Sequence, residues 1–335
     1  MHCEYPLGSS FSRGDWQILS AYWHPVALSD DVKDDRPLGT RLLDLNLVLY
    51  RLGDRLSVAH DHCPHRGTRL SLGKLDRGRL ICPYHGLEFD GRGVCTRIPG
   101  DPRAARIPDR FSIPTYMAEE RYGLVWVCLS GQPTAPIPDW SALEQTGNQR
   151  CSMRAIWNTA AARHVENFND LAHFATVHTG TFGSSGHPVV PPYTVDTWPH
   201  GLHFKVSVTA VETSTFDPAA NYAQIRTEYQ VTFPFATQLT VHYSNGIETV
   251  CDVASPMSSD KAQIFMLKSR DHDQHQPLHE WLRFQEAVNE EDRVMVESQF
   301  PARLPLDRGI EWHLASDAFS VAYRKHWADL GMTSL

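Results

Sequence analysis

Two short stretches, Cys63-Pro64-His65-Arg66-Gly67 and Cys82-Pro83-Tyr84-His85-Gly86, constrain this chain more than any other feature of it; sixteen residues separate His65 from Cys82. Each stretch sets a thiol and an imidazole on one tight turn, where proline fixes φ and glycine supplies the conformation that closes the loop. Two facing loops of this kind clamp a [2Fe–2S] cluster, with two thiolates on one iron and two imidazoles on the other. Replacing two anionic sulfurs with neutral nitrogens raises the reduction potential above that of an all-cysteine centre. Cys63, His65, Cys82 and His85 are therefore the expected cluster ligands, in a chain that handles electrons. Two cysteines and two histidines also suit a tetrahedral structural zinc, but C-x-H followed by C-x-x-H departs from the usual zinc spacings.

A second constellation bears on what the electrons are for. The run Asn167 to His178, N-F-N-D-L-A-H-F-A-T-V-H, carries two histidines and a carboxylate within twelve residues of a helical-looking stretch. At about 100° per residue, Asp170 and His173 share a helix face, whereas His178 points roughly 140° away from His173. Both rings meet one metal only if the helix ends or distorts near His178, and Gly180 supplies a stop. A lone histidine in an apolar stretch is more often a hydrogen-bonded core residue. Two of them after an acid, in a chain that already carries a redox cluster, point to a metal.

A two-histidine iron site takes a carboxylate as its third ligand, which leaves positions open for dioxygen and substrate. The acids lie in a helix expected over Leu278 to Ser298, in the run Asn289-Glu290-Glu291-Asp292-Arg293. Trp281, Phe284, Val288 and Met295 form its apolar stripe, and Glu290 and Arg293 fall opposite. Glu291 and Asp292 both border the stripe, so periodicity does not choose between them. Glu290 and Glu297 read as a solvated acidic face.

Over nearly its whole length the chain resembles the catalytic α subunits of Rieske non-haem iron oxygenases. The cluster motif, the N-x-x-D-x-x-H-x4-H stretch and the E-D-R-x-x-x-E-S-Q run from Glu291 to Gln299 carry the resemblance. It implies that Asp292 joins His173 and His178 as the third iron ligand, that Glu291 is dispensable to the iron, and that Asn167 lies near it. It also implies that Asp170 bridges His173 to a cluster histidine of a neighbouring subunit. Cys82-Pro-Tyr-His85-Gly-Leu-Glu-Phe is similar to the vanillate O-demethylase branch, with Leu87 where tryptophan is common elsewhere. Glu120 to Leu129 and the tail from Ser316 to Gly331 resemble hydroxylases of saxitoxin-type alkaloids. Both likenesses imply monooxygenation, giving an alcohol or, at an O- or N-methyl group, loss of formaldehyde. A cis-dihydroxylating dioxygenase would use the same ligands. Respiratory Rieske electron carriers form a competing class, but their motif has cysteine, cysteine and serine where this chain has Thr68, Tyr84 and Leu87. Fewer hydrogen bonds to the sulfurs place the expected potential toward the low end of the Rieske range.

The remaining features bound this reading. At 335 residues the chain accommodates two domains: an all-β cluster domain over 1–135, with its core at about 40–130, and a catalytic domain over 136–335. The fold expected is α+β, the second domain having a central antiparallel sheet flanked by helices. Residues 1 to about 40 read as a lead-in, with strands at 42–51, 56–60, 79–82 and 122–129. Gly131 to Pro138 reads either as a stiff linker or as an ordinary surface loop. Strands follow at 202–212, 224–233, 238–243, 248–254 and 262–269, with a last helix at about 315–330. A net charge of −8 argues against nucleic acid. Nothing marks a membrane span or an export leader. Of seven cysteines, Cys3, Cys95, Cys128, Cys151 and Cys251 read as free thiols of a reducing cytoplasm.

There is no G-x-G-x-x-G after a strand and no plant-type ferredoxin motif. Electrons must then reach the chain from a separate NAD(P)H-dependent reductase, with or without a ferredoxin. The resemblance further implies a head-to-tail ring, a homotrimer, whose heterologous contact closes by rotation. Phe168, Phe174, Phe204, Tyr229, Phe235 and Tyr243 are candidates to line the substrate pocket, although aromatic residues in strands usually pack in cores. The purified protein is expected to be red-brown and, once reduced, to give the low-average-g paramagnetic resonance of a His-ligated [2Fe–2S] centre. A colourless protein holding stoichiometric zinc after anaerobic reconstitution would refute that expectation.

Overall fold

Short strands broken by turn residues build the first of two units, residues 1–137, and long strands build the second, 138–335. The computed structural model describes residues 5–101, 106–213, 215–216, 221–307 and 309–335. Cys3 lies outside them.

In the first unit, helix α1 (Arg13–Ser20) precedes strands β1 (His24–Leu28), β2 (Leu38–Leu42), β3 (Leu45–Leu52), β4 (Arg55–His60), β5 (Lys74–Asp76), β6 (Arg79–Ile81), β7 (Glu88–Phe89), β8 (Cys95–Arg97), β9 (Met117–Arg121) and β10 (Leu124–Cys128). They form three antiparallel sheets in the orders β1-β10-β9, β2-β3-β4 and β5-β6-β7-β8. Residues 13–28 are thus not a lead-in. Ser12 caps α1 by accepting the Asp15 amide at 3.1 Å, and Trp16 donates its indole N–H to the Leu43 carbonyl. His24 to Leu28 then pairs with β10, covering one of its edges. That helix spans only eight residues, too few for a periodic signal to stand out. The stretch 131–138 is not a free spacer either: Ala135 and Ile137 are buried, and Thr134 donates to the Ala21 carbonyl.

Val48, Tyr50, Leu70, Leu80, Leu87 and Phe89 make one hydrophobic cluster, and Cys63 and Cys82 belong to it. The two cysteine–histidine loops are therefore rooted in the core rather than appended to it.

The second unit comprises β11 (Gln149–Trp157), α2 (Ala161–Phe168), β12 (Val195–Trp198), β13 (Gly201–Val211), β14 (Tyr222–Thr232), β15 (Ala236–Tyr243), β16 (Gly246–Ser258), β17 (Lys261–Arg270), α3 (Leu278–Glu297) and α4 (Ala318–Asp329). Its strands form a seven-stranded sheet in the order β11-β17-β16-β15-β14-β13-β12, antiparallel throughout. β11 is absent from the strands expected from sequence although it alternates, with exposed Arg150, Ser152 and Arg154 between half-buried Cys151, Met153 and Ala155.

Helix α2 packs on β16 and β17, and α3 packs on β11 and α2. His164 of α2 reaches Asp252 of β16 at 2.7 Å, both side chains buried. Arg163 and Arg324 share Glu311, and Arg324 also pairs with Glu166, which ties α2 to α4. On α4, Phe319, Tyr323 and Trp327 are buried, and Tyr323 donates to the Pro234 carbonyl at 2.9 Å.

Candidate metal centre

The two cysteine–histidine loops, one after β4 and one between β6 and β7, have the same backbone hydrogen bonding. Cys63 N–H donates to Thr68 O and Gly67 N–H to Cys63 O; Cys82 N–H donates to Leu87 O and Gly86 N–H to Cys82 O. Gly67 and Gly86 close the turns at φ +74° and +71°, a region that side chains disfavour. This places both sulfurs in the core and both imidazoles at the surface, with the His65 and His85 ring centroids 4.5 Å apart. Burial pushes the Cys63 thiol up to about 11, and the adjacent Cys82 sulfur adds to the rise. Thiolates at these positions need a cation to compensate them, which fits an iron–sulfur cluster. Cys95, Cys128, Cys151 and Cys251 are free.

In the second unit α2 stops at Phe168, earlier than expected. Asn169 caps it, its side-chain amide donating to Val165 O and Thr237 Oγ1. Asp170 then accepts the amides of Ala172 and His173 and starts a single 3-10 turn, Ala172–Ala175. The chain doubles back after His178, whose carbonyl accepts from Thr181 and Gly183. Gly183 is required there, because a Cβ would lie 1.9 Å from the Phe174 oxygen. Asp170 and His173 thus do not share a continuous helix, and the reversal needs Gly183 rather than a helix stop at Gly180.

This broken path brings the two imidazoles together. His173 Nε2 and His178 Nε2 are 3.0 Å apart, and Asp292 Oδ1 lies 3.4 Å and 3.2 Å from them. These three residues form a group of donors that one metal ion could share, spaced as ligands with bonds of about 2 Å would be. Each donor residue has a further hydrogen-bond partner. His173 Nδ1 donates to Asp170 Oδ2 at 2.9 Å, His178 Nδ1 to Glu291 Oε2 at 2.8 Å, and Asn167 Nδ2 to Asp292 Oδ1 at 3.1 Å. Such partners fix which ring nitrogen is free to ligate. Thr181 Oγ1 donates to Glu291 as well.

Glu291 is not one of the three donors, yet its carboxylate braces His178. It stands beside Asp292 on α3 and binds His178 on the Nδ1 side of the ring, opposite the nitrogen that faces Asp292, and Gly180 makes room for it: a Cβ there would meet Glu291 Oε1 at 2.9 Å. Glu290 is exposed and paired with Arg293, as expected of a solvated face. Glu297 is not simply solvated, since it accepts the Asn158 amide at 2.7 Å. Met295 is exposed and Val296 takes its place in the buried stripe.

Burial works against charge on His173, yet its hydrogen bonds to Asp170 and Asp292 outweigh it and hold the ring up at about 9. Burial likewise opposes ionisation of Asp292, but the two imidazoles hold its carboxyl well below the usual range. The pocket thus concentrates negative charge where a cation would sit, and a metal entering it displaces a proton from His173.

The three donors open on a cavity of about 130 Å³. One wall is the sheet, where period-2 alternation presents Ile225, Thr227 and Tyr229 of β14 and Leu239, Val241 and Tyr243 of β15. Phe284, Gln285, Val288 and Asp292 of α3 form another. Of the six aromatic candidates, Phe168, Phe174, Tyr229 and Tyr243 line it. Phe204 instead stacks on Tyr229 at 4.4 Å and Phe235 packs near Trp327, so those two belong to the core.

Residues 22–116 match the Rieske [2Fe-2S] domain, and residues 157–331 match the vanillate O-demethylase oxygenase C-terminal domain. The chain belongs to the Rieske non-haem iron oxygenases. It is 31% identical over 325 residues to the methylxanthine N1-demethylase NdmA of Pseudomonas putida, covering 94% of this chain and 90% of that protein. The methylxanthine N3-demethylase NdmB of the same organism is 32% identical over 337 residues, covering 96% and 92%. The structure of NdmA with caffeine superposes with a TM-score of 0.83 at 28% identity, covering 93% of this chain and 91% of that one. Members of this family are oxidoreductases that carry a [2Fe–2S] cluster and a mononuclear non-haem iron, and they take their electrons from a separate transfer partner.

Asp292→Ala is expected to abolish mononuclear iron occupancy and turnover while the cluster spectrum persists. Glu291→Gln should keep the iron but weaken its affinity by about 10–100-fold, because only the hold on His178 is lost. Iron titration of both variants, followed by metal analysis, checks the pair of outcomes.

Proposed function

We propose that this chain is the terminal oxygenase of an oxidative demethylation system whose substrate is a small N- or O-methylated heterocycle or arene. The convergence of His173, His178 and Asp292 on an otherwise largely apolar cavity supports it. In this reading those three residues hold the iron, and Cys63, His65, Cys82 and His85 hold the cluster. When bound, the two centres supply single electrons and the reductive activation of dioxygen. Each turnover consumes one dioxygen molecule, two electrons and two protons: one oxygen atom converts a substrate methyl to a hydroxymethyl group, and the other leaves as water. The hydroxymethyl adduct then loses formaldehyde, so demethylation needs no second active site.

The residues of the chain do the positioning. Asp170, Glu291 and Asn167 fix the three donors, while Phe168, Phe174 and Phe182 shield the site from water. Asp170 has a further role in this reading. Its carboxyl is opposed by burial but held low by the His173 ring and by two amides, so it remains charged, and its side chain keeps 30% exposure. It is then placed to accept a hydrogen bond from His85 of a neighbouring subunit in a head-to-tail trimer. Electrons come from an NAD(P)H-dependent reductase, directly or through a ferredoxin, in the cytoplasm. No helix among the described residues is long and apolar enough to cross a membrane.

Product analysis with labelled dioxygen and a surrogate reductase tests the reaction. One labelled oxygen in a hydroxymethyl product, or formaldehyde release from N-methyl or methoxy compounds, is the expected result; two labelled hydroxyls on adjacent carbons would establish a cis-dihydroxylase instead. Asp170→Asn is expected to retain both metals and a reducible cluster while product formation falls by orders of magnitude. Cluster reoxidation coupled to product at a near wild-type rate, in a single turnover of the reduced variant, would reduce Asp170 to a local support for His173.

A further inference from the structure

The cavity has a polar wall that the metal site does not use. Glu248 of β16 and Lys268 of β17 both line it, and their side chains are 3% and 2% exposed. Lys268 Nζ lies 2.6 Å from Glu248 Oε1 and donates to Gln285 Oε1 at 2.7 Å. Gln285 in turn donates to Asn289, and Trp281 donates its indole N–H to Glu248 Oε1 at 3.4 Å. One oxygen of the carboxylate thus takes both donors. Glu248 Oε2 is buried and has no hydrogen-bond partner among the described residues.

A buried carboxylate oxygen without a donor forfeits about 1–3 kcal/mol or more; Asp252 Oδ2 is in the same state, but of the two residues only Glu248 lines the cavity. On the same wall, one strand over on β15 and two positions along from Val241, the residue paired with Glu248, stands Tyr243. Burial, and then the charge of Glu248, push the Tyr243 hydroxyl well above the ordinary phenol range, so it stays protonated and able to donate. Arg270 lies further along β17, its guanidinium over the Trp281 ring and donating to Gln149 Oε1. Lys268 already neutralises Glu248, so the wall presents an acceptor and a hydroxyl with little net charge.

Its distance from the metal site follows from α3. Gln285, which holds Lys268, and Asp292 are seven residues apart on the same helix, roughly 10 Å along its axis. That span suits a mono- or bicyclic ring with a methyl at one end.

We infer that Glu248 and Tyr243 are specificity-determining residues that recognise a ring N–H and an adjacent carbonyl or ring nitrogen of the substrate. This rests on the demethylase reading of the cavity and narrows its substrate class to N-methyl heterocycles that retain a free ring N–H. The N–H donates to Glu248 Oε2 and the Tyr243 hydroxyl donates to the neighbouring acceptor. A methoxybenzoate is disfavoured, because its carboxylate would face Glu248 with no free cation beside it.

Matched probes test this: theophylline and theobromine against caffeine, and 1-methyluracil against 1,3-dimethyluracil, each pair differing in a ring N–H. Binding to the cluster- and iron-loaded protein is measured by anaerobic calorimetry. The N–H member of at least one pair is expected to bind about tenfold or more tightly, as a hydrogen bond to a charged acceptor provides. Glu248→Gln turns the free acceptor into a donor and should abolish that ratio. A ratio near unity in the wild-type protein, or one that survives unchanged in E248Q, overturns the inference. So does failure of every probe to bind while 4-hydroxy-3-methoxybenzoate releases formaldehyde. Tyr243→Phe disturbs no ion pair and serves if E248Q does not fold; it should lower affinity for the N–H probes about three- to tenfold, and unchanged affinity overturns the pairing. The binding ratio needs no turnover. An intact ratio with no formaldehyde from any methylated probe would therefore overturn the demethylase reading and leave the N–H site standing.

Discussion

Two histidines five residues apart cannot face one cation from an unbroken helix, and the catalytic unit is organised around breaking it. Asn169 ends α2, Asp170 folds its carboxylate onto the next two amides, and Gly183 lets the chain pass against the Phe174 carbonyl. The result is a compact knuckle with His173 and His178 nitrogens 3.0 Å apart. Helix α3 then closes the third side. Its position depends on packing against β11 and α2, so the large sheet serves the metal site by fixing where α3 lies.

The same knuckle gathers an unusual density of buried charge. Asp170, Glu291 and Asp292 surround two imidazoles, and Asn167 braces Asp292. Carboxylates this close are tolerable because each has a hydrogen-bond donor, and because a cation entering the site offsets their repulsion. Away from the knuckle the unit compensates its buried charges in pairs: His164 with Asp252, Lys268 with Glu248, and Arg163 and Arg324 with Glu311. Glu248 and Asp252 each keep a second oxygen without a donor, and of the two residues only Glu248 lines the cavity.

Local features of the chain were legible in its sequence. The cluster loops could be read because their ligands and turn residues fall within a few positions, and the N-x-x-D-x-x-H-x4-H run could be read for the same reason. Periodicity could not separate Glu291 from Asp292. Both border the buried stripe of α3, and in the fold both reach the paired histidines, Glu291 at His178 Nδ1 and Asp292 at the two Nε2 atoms. The polar wall was not legible. β16 and β17 are buried on both faces, so Glu248 and Lys268 sit in runs with no clean alternation to mark them as inward-facing. Helix α1 and strand β1 were missed because the helix is short and its partner contacts, to Leu43 and to β10, are distant in sequence.

The hydrogen-bond pattern repeated in the two cluster loops has a directional consequence. It buries the cysteine sulfurs among Leu80, Leu87 and Phe89 and leaves the histidine rings at the surface, next to exposed Tyr84. A cluster held by these four side chains would have one dry side ligated by anions and one wetter side ligated by neutral rings. Added negative charge is better accommodated on the second side, where ligand charge does not oppose it and water can polarise around it. Loops built this way would hold an arriving electron on the imidazole side of a cluster ligated by these four residues, at its outer edge.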